Sequence, residues 1–164
     1  MDETYYRVLD IVRGTTVDGP GFRTAIYLAG CTHKCPGCHN PQSHDPAAGT
    51  PMTLTEIMTV VGDEDFDVTL TGGDPLYQPE KLLPLLHALR ADGRNIWLYT
   101  GYTWEEICGS PLLLQAASLA NIIVDGPFIS EKHDPDLLFR GSSNQRLIDV
   151  APTISTGNLH IWKC

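Results

Sequence analysis

The sequence is poor in positive charge. It carries 11 Lys and Arg against 20 Asp and Glu in 164 residues, a net charge of −9. Without a basic stripe to collect phosphate backbones, a nucleic-acid-binding module is excluded as an expectation. Long apolar runs are also missing: stretches such as Ile122–Val124 and Leu112–Leu114 are far too short to cross a bilayer. The start, Met1-Asp2-Glu3, has neither the basic residues nor the apolar run of a signal peptide. The expectation is a cytoplasmic protein with no membrane partner. Cysteine is scarce, five residues in all, an odd number, and three of them fall within eight positions. A secreted disulfide scaffold would show an even and wider-spread set, whereas in a reducing compartment such a cluster points to metal. Hydrophobic residues at 42% and charged residues at 19% exclude a disordered chain. No repeat, low-complexity tract or linker divides the sequence, so residues 1–164 read as one domain.

Strands and helices alternate. Strand patterns cover Tyr5–Val12, Thr24–Ala29, Asp67–Thr71, Asn95–Thr100 and Asn121–Val124. Asp18-Gly19-Pro20-Gly21 is turn sequence between the first two, and Pro36–Pro51, with four Pro and two Gly, reads as loop. Thr53 followed three residues later by Glu56 marks a helix start, running to about Val61. Leu82, Leu85, Leu86 and Leu89 follow helical spacing, with Pro84 placed in the first turn of a helix beginning near Lys81. A further helical stretch spans Thr103–Ser118. The alternation predicts an α/β fold of mostly parallel strands. A complete eight-stranded barrel needs about 250 residues, so the prediction is a partial, TIM-like β/α barrel. In such folds functional residues gather at the C-terminal ends of the strands. Cys31, Gly72-Gly73, Gly101 and Asp125 each follow a predicted strand.

The densest chemistry is Cys31-Thr-His-Lys-Cys35-Pro-Gly-Cys38, a C-x3-C-x2-C loop. Two readings compete. A structural zinc wants four closed ligands, and His33, His39 or His44 could supply the fourth. A 4Fe-4S cluster held by three thiolates keeps one iron open, which is what a catalytic metal needs. Pro36 and Gly37 suit a loop that wraps a bulky group. Gly72-Gly73-Asp74-Pro75 is good turn sequence, and it also lets backbone carbonyls approach a ligand.

Together Asp18-Gly-Pro-Gly-Phe-Arg23, Cys31 to Asn40, Leu70-Thr-Gly-Gly-Asp-Pro75, Tyr99-Thr-Gly-Tyr102, Val124-Asp-Gly-Pro-Phe128 and Arg140-Gly-Ser-Ser-Asn-Gln145 resemble the radical S-adenosylmethionine (SAM) superfamily. Within it they resemble the activating proteins of anaerobic ribonucleoside-triphosphate reductases. The cysteine pattern identifies the superfamily; the later segments carry the narrower likeness. Gly37 stands where many superfamily members have an aromatic, and the activating proteins share the Pro-Gly form. The resemblance implies a 4Fe-4S cluster on Cys31, Cys35 and Cys38. It also implies SAM chelating the open iron, held by Gly72, Gly73, Asp74, Thr100, Asp125 and Asn40. Reductive cleavage then gives a 5′-deoxyadenosyl radical, which abstracts hydrogen from a glycine of the reductase's catalytic subunit. A reduced flavodoxin-like protein is the implied electron donor. The alternatives are activation of another glycyl radical enzyme, a small-molecule radical SAM reaction, and a zinc-stabilised interaction module without catalysis.

The remaining residues carry weaker expectations. Thr100 and Asp125 could instead cap helices, and Arg140–Gln145 could be a solvated loop. Cys108 reads as a small apolar residue on a helix, and Cys164 has no neighbour, so a single cluster is expected. His87 and His160 read as structural or exposed. Trp97 fits a strand core.

Overall fold

The computed structural model describes residues 4–33, 35, 37–38 and 41–163. Pro36, His39, Asn40 and Cys164 lie outside them. Seven strands form one sheet: β1 (Tyr5–Thr15), β2 (Arg23–Leu28), β3 (Thr50–Thr53), β4 (Asp67–Gly72), β5 (Ile96–Tyr99), β6 (Ile122–Asp125) and β7 (Arg146–Asp149), in the order β3-β1-β2-β4-β5-β6-β7. The central strands β2, β4, β5 and β6 are parallel, in register through Ile26↔Leu70, Leu70↔Leu98 and Leu98↔Ile123. At the edges β1 runs antiparallel to β2 and β3, and β7 antiparallel to β6. The sheet stays open, an incomplete β/α barrel.

Alternation along each strand decides which face a side chain serves. Ile26, Val68, Leu70, Ile96, Leu98 and Ile123 are buried under the helices. These are α1 (Leu54–Gly62), α2 (Pro79–Ala91), α3 (Trp104–Cys108), α4 (Pro111–Ala117) and α5 (Val150–Thr156). The predicted leucine stripe is the buried face of α2. The opposite sheet face carries Trp97, Ile122, Val124 and Leu147, covered by Phe139 and Trp162 from the later chain. Trp97 meets Phe139 and Trp162 edge-on at 5.2 and 5.0 Å, favoured geometries for aromatic quadrupoles.

Arg23 closes the N-terminal end of this face. It is 1% exposed. Its guanidinium donates to Thr69 Oγ1 (2.9 Å), Val68 O (2.8 Å) and Asn95 O (3.1 Å), and lies 5.6 Å from the Trp97 ring. Burial pulls its pKa down, with Asp67 and Asp18 opposing. The Asp18–Arg23 motif is thus accounted for in part by sheet construction.

Four sequence expectations change. Pro36–Pro51 is not all loop, because Thr50–Thr53 pairs with Tyr5–Val8; a proline is tolerated there because the strand is an edge. Helix α2 begins at Pro79, so Pro84 lies inside it. Glu80 and Pro84 are both exposed, so the carbonyl that loses its donor faces water. Thr103–Ser118 is two helices, because Pro111 restricts Ser110, which leaves the helix and caps α4 by accepting from Leu113 N. Strand β7 and helix α5 were not anticipated. Cys108 ends α3 but is exposed, as are His87 and His160. None of the described helices is long and apolar enough to cross a membrane.

Candidate functional site

The turns that follow the parallel strands meet at one end of the sheet. Cys31, Cys35, Cys38, Gly72, Gly73, Thr100 and Gly126 line a single open cleft there, of about 220 Å³, with His33, His44, Tyr99, Gly101, Gly141 and Gln145 also in its walls. The three predicted cysteines, all half-buried, therefore share one space with three of the predicted SAM residues. Cys38 N donates to Cys35 O at 3.1 Å, and Gly37 takes φ 72° in that turn. A side chain would be strained at such a φ, which explains the glycine. Gly37 also faces Phe128 and Ser130, so the cysteine loop abuts the segment after β6. Among the described residues no three His, Cys, Asp or Glu side chains stand close enough to share one metal ion.

The paired glycines have a packing cause. A Cβ on Gly72 would stand 2.4 Å from Leu28 N and O, and one on Gly73 would stand 2.5 Å from Gly30 O. Gly73 N donates to Leu28 O and Asp74 N to Gly30 O, both at 2.7 Å. The Gly72-Gly73 turn is thereby pressed onto the stem of the cysteine loop. That leaves the turn in the cleft wall beside the cysteines.

Asp74 is buried, and its carboxylate faces protein. Oδ1 accepts from Leu76 N (2.9 Å). Oδ2 accepts from Thr100 Oγ1 (3.0 Å), from Gly101 N (3.0 Å) and from His33 Nε2 (2.6 Å). The Asp74 hydrogen bond raises the His33 pKa, against burial, which lowers it. Thr100 spends its hydroxyl within the same network, accepting from Tyr102 N as well. Asp125 does not line the cleft. It is 1% exposed, accepts from Trp104 N at the start of α3, and binds Arg146. Its chemistry is that of a structural anchor, so of the predicted SAM set Gly72, Gly73 and Thr100 reach the cleft, the carboxylates of Asp74 and Asp125 support it, and Asn40 lies outside the described residues.

Arg140–Gln145 proves to be built into the site. Gln145 Oε1 accepts from Gly141 N and Ser142 N (2.9 and 3.1 Å), and its amide donates to Gly126 O (3.1 Å). Asn144 donates to Pro127 O at 2.8 Å, and Arg140 to Gln145 O at 2.9 Å. The segment ties the turn after β6 to the start of β7. Its density of polar residues is a signal that sequence reading noticed without assigning. The pairing of His33 with Asp74 and the place of Tyr99 in the cleft wall were missed, and no local pattern announces them.

Comparison with known proteins agrees with this geometry. Residues 17–148 match the family described as a 4Fe-4S single cluster domain. The chain is 36% identical over 155 residues to the anaerobic ribonucleoside-triphosphate reductase-activating protein of Escherichia coli, covering 88% of this chain and 96% of that one. It is 33% identical to the protein of that name from Vibrio cholerae, with the same coverage. The one from Enterobacteria phage T4 is 36% identical over 80% of this chain and 86% of that protein. Among solved structures, QueE from Escherichia coli superposes with a TM-score of 0.53 at 20% identity, over 74% of this chain and 70% of that one, a likeness of fold.

Proposed function

The chain belongs to the family of anaerobic ribonucleoside-triphosphate reductase-activating proteins, and on that premise we propose that it is a radical SAM enzyme, working as one domain, that installs the glycyl radical of an anaerobic ribonucleotide reductase. One observation carries the reading: three cysteines spaced C-x3-C-x2-C share a single cleft with Gly72, Gly73 and Thr100 at the C-terminal ends of parallel strands.

The donor set fits a 4Fe-4S cluster. Cys31, Cys35 and Cys38 would hold three irons as thiolates, and a three-thiolate set leaves the fourth iron for SAM. When bound, the cluster and SAM supply one-electron reductive cleavage of a sulfonium to a carbon-centred radical. The protein's own residues do the rest. Carbonyls of the Gly72-Gly73 turn offer acceptors to an ammonium, because the Asp74 carboxylate is already engaged. Tyr99 keeps its phenol protonated, since burial pushes its pKa far up, and its hydroxyl is held by Phe139 O at 2.7 Å.

The substrate is a backbone glycine of the reductase, whose Cα radical is stabilised by the flanking amides. The open edge of the incomplete barrel supports admission of an extended peptide. A reduced flavodoxin-like protein would deliver the electron, and the setting is the cytoplasm of a cell growing without oxygen. The test is anaerobic mixing of reduced protein, SAM and the reductase, followed by electron paramagnetic resonance. A glycyl-radical signal on the reductase is expected. A silent reductase, with a signal on another glycyl radical enzyme, would overturn the choice of partner.

A further inference from the structure

The cysteine loop has a second tie to the Gly72-Gly73 turn, made by a side chain that no cofactor assignment uses. His33 lies between Cys31 and Cys35, and its Nε2 donates to Asp74 Oδ2 at 2.6 Å, with side-chain exposures of 17% and 1%. The ring is confined on two further sides. Tyr102 packs edge-on against it at 4.6 Å and 81°. Gly101 lies flush beneath it, since a Cβ there would stand 2.5 Å from His33 Cδ2. Asp74 in turn is fixed by three other donors: Leu76 N, Thr100 Oγ1 and Gly101 N. Oδ2 accepts three of these four bonds and Oδ1 one, so the carboxylate is tied to the protein through both oxygens.

We infer that His33 is a positioning residue that, through Asp74, locks the cysteine loop onto the Gly72-Gly73 turn and so sets the cluster's open iron against the pocket for the SAM amine. The inference rests on the cofactor reading above. The backbone bonds Gly73 N to Leu28 O and Asp74 N to Gly30 O fasten only the stem of the loop. Past the stem the loop has no regular secondary structure through Cys38 among the described residues. Cys31 is held separately, its N–H donating to His44 O at 3.3 Å, so the side-chain tie at His33 bears on where Cys35 stands relative to the turn. The same carboxylate reaches Thr100 and Gly101 after β5, so one atom, Asp74 Oδ2, gathers three strand-end loops.

The experiment uses anaerobically reconstituted full-length protein. It measures iron content, SAM dissociation constant, and the resonance spectrum of the reduced cluster with and without SAM. His33→Phe keeps an aromatic ring but removes the donor, Gly101→Ala pushes the ring away while leaving every polar group in place, and His33→Gln restores a donor. Supporting residues around metal sites alter affinity by about 10–100-fold. His33→Phe and Gly101→Ala should therefore keep wild-type iron and bind SAM at least about tenfold more weakly. Both should show a diminished SAM-induced spectral change, recovered in large part by His33→Gln. The double variant His33→Phe/Asp74→Asn should bind SAM no more weakly than the weaker single variant. Unchanged SAM affinity in Gly101→Ala, or losses that add in the double variant, would overturn the role of His33, even if His33→Phe fails to fold. A wild-type cluster whose spectrum ignores SAM would overturn the cofactor reading itself, and the inference with it.

Discussion

Arg146 grips Asp125 from the neighbouring strand: its guanidinium lies 2.5 Å from Asp125 Oδ2 and 2.7 Å from Glu105 Oε2. Asp125 is buried and Glu105 is exposed, so one cation serves an interior carboxylate and a surface one. The pair joins β6, β7 and the start of α3, because Asp125 also accepts from Trp104 N. Removing Asp125 leaves Arg146 short of its interior partner and Trp104 N without an acceptor. Asp125→Ala should lower unfolding free energy by about 3 kcal/mol, the scale for breaking a buried pair, read by denaturant titration of the apo-protein. A change below about 0.5 kcal/mol would contradict the anchor role.

The surface half of that arrangement predicts a pH dependence. Hydrogen bonding to Arg146 lowers the Glu105 pKa below its ordinary value. A lowered carboxylate pKa contributes stability that is present above the unfolded value and lost as pH falls through the folded one. Glu105→Gln should therefore be less stable than wild type near pH 7, and the difference should vanish at about pH 2. The glutamate is well exposed, so solvent screening holds the effect within about 1 kcal/mol. Melting curves at the two pH values check the sign.

Gly72 and Gly62 make a contrasting pair. Gly72 has φ 108° and no room for a Cβ against Leu28, whereas Gly62, at the end of α1, has nothing within 4 Å of that position. Gly72→Ala should cost more than about 2 kcal/mol, from backbone strain and overpacking together. Gly62→Ala should stabilise by about 0.5 kcal/mol, by restricting the unfolded chain. Thermal unfolding of both variants tests whether packing rather than ligand approach dictates the first glycine.

Much of the scaffold was legible because its signals are local. Thr53 accepts from Glu56 N at the head of α1, as the spacing indicated, and Leu82, Leu85, Leu86 and Leu89 are the buried face of α2. The parallel strands announced themselves through buried pairs such as Val68 with Leu70 and Ile96 with Leu98. Strand β3 hid behind Pro51, and β7 offers only Leu147 and Ile148 between the charged Arg146 and Asp149. The cysteines and glycines of the cleft were visible from turn sequence and spacing. The destinations of the acids were not. Asp74 meets His33 across 41 positions and Asp125 meets Arg146 across 21, and such partners are created by folding rather than by any neighbouring pattern.

The central claim, that Cys31, Cys35 and Cys38 hold a cluster that cleaves SAM, is tested most directly by measuring iron and 5′-deoxyadenosine after anaerobic reduction in the presence of SAM. Wild type and Cys108→Ala should hold about four irons per chain and release deoxyadenosine. Cys31→Ala, Cys35→Ala and Cys38→Ala should each release none. Deoxyadenosine that survives loss of any of those three thiols, or zinc found in place of iron, would contradict the account.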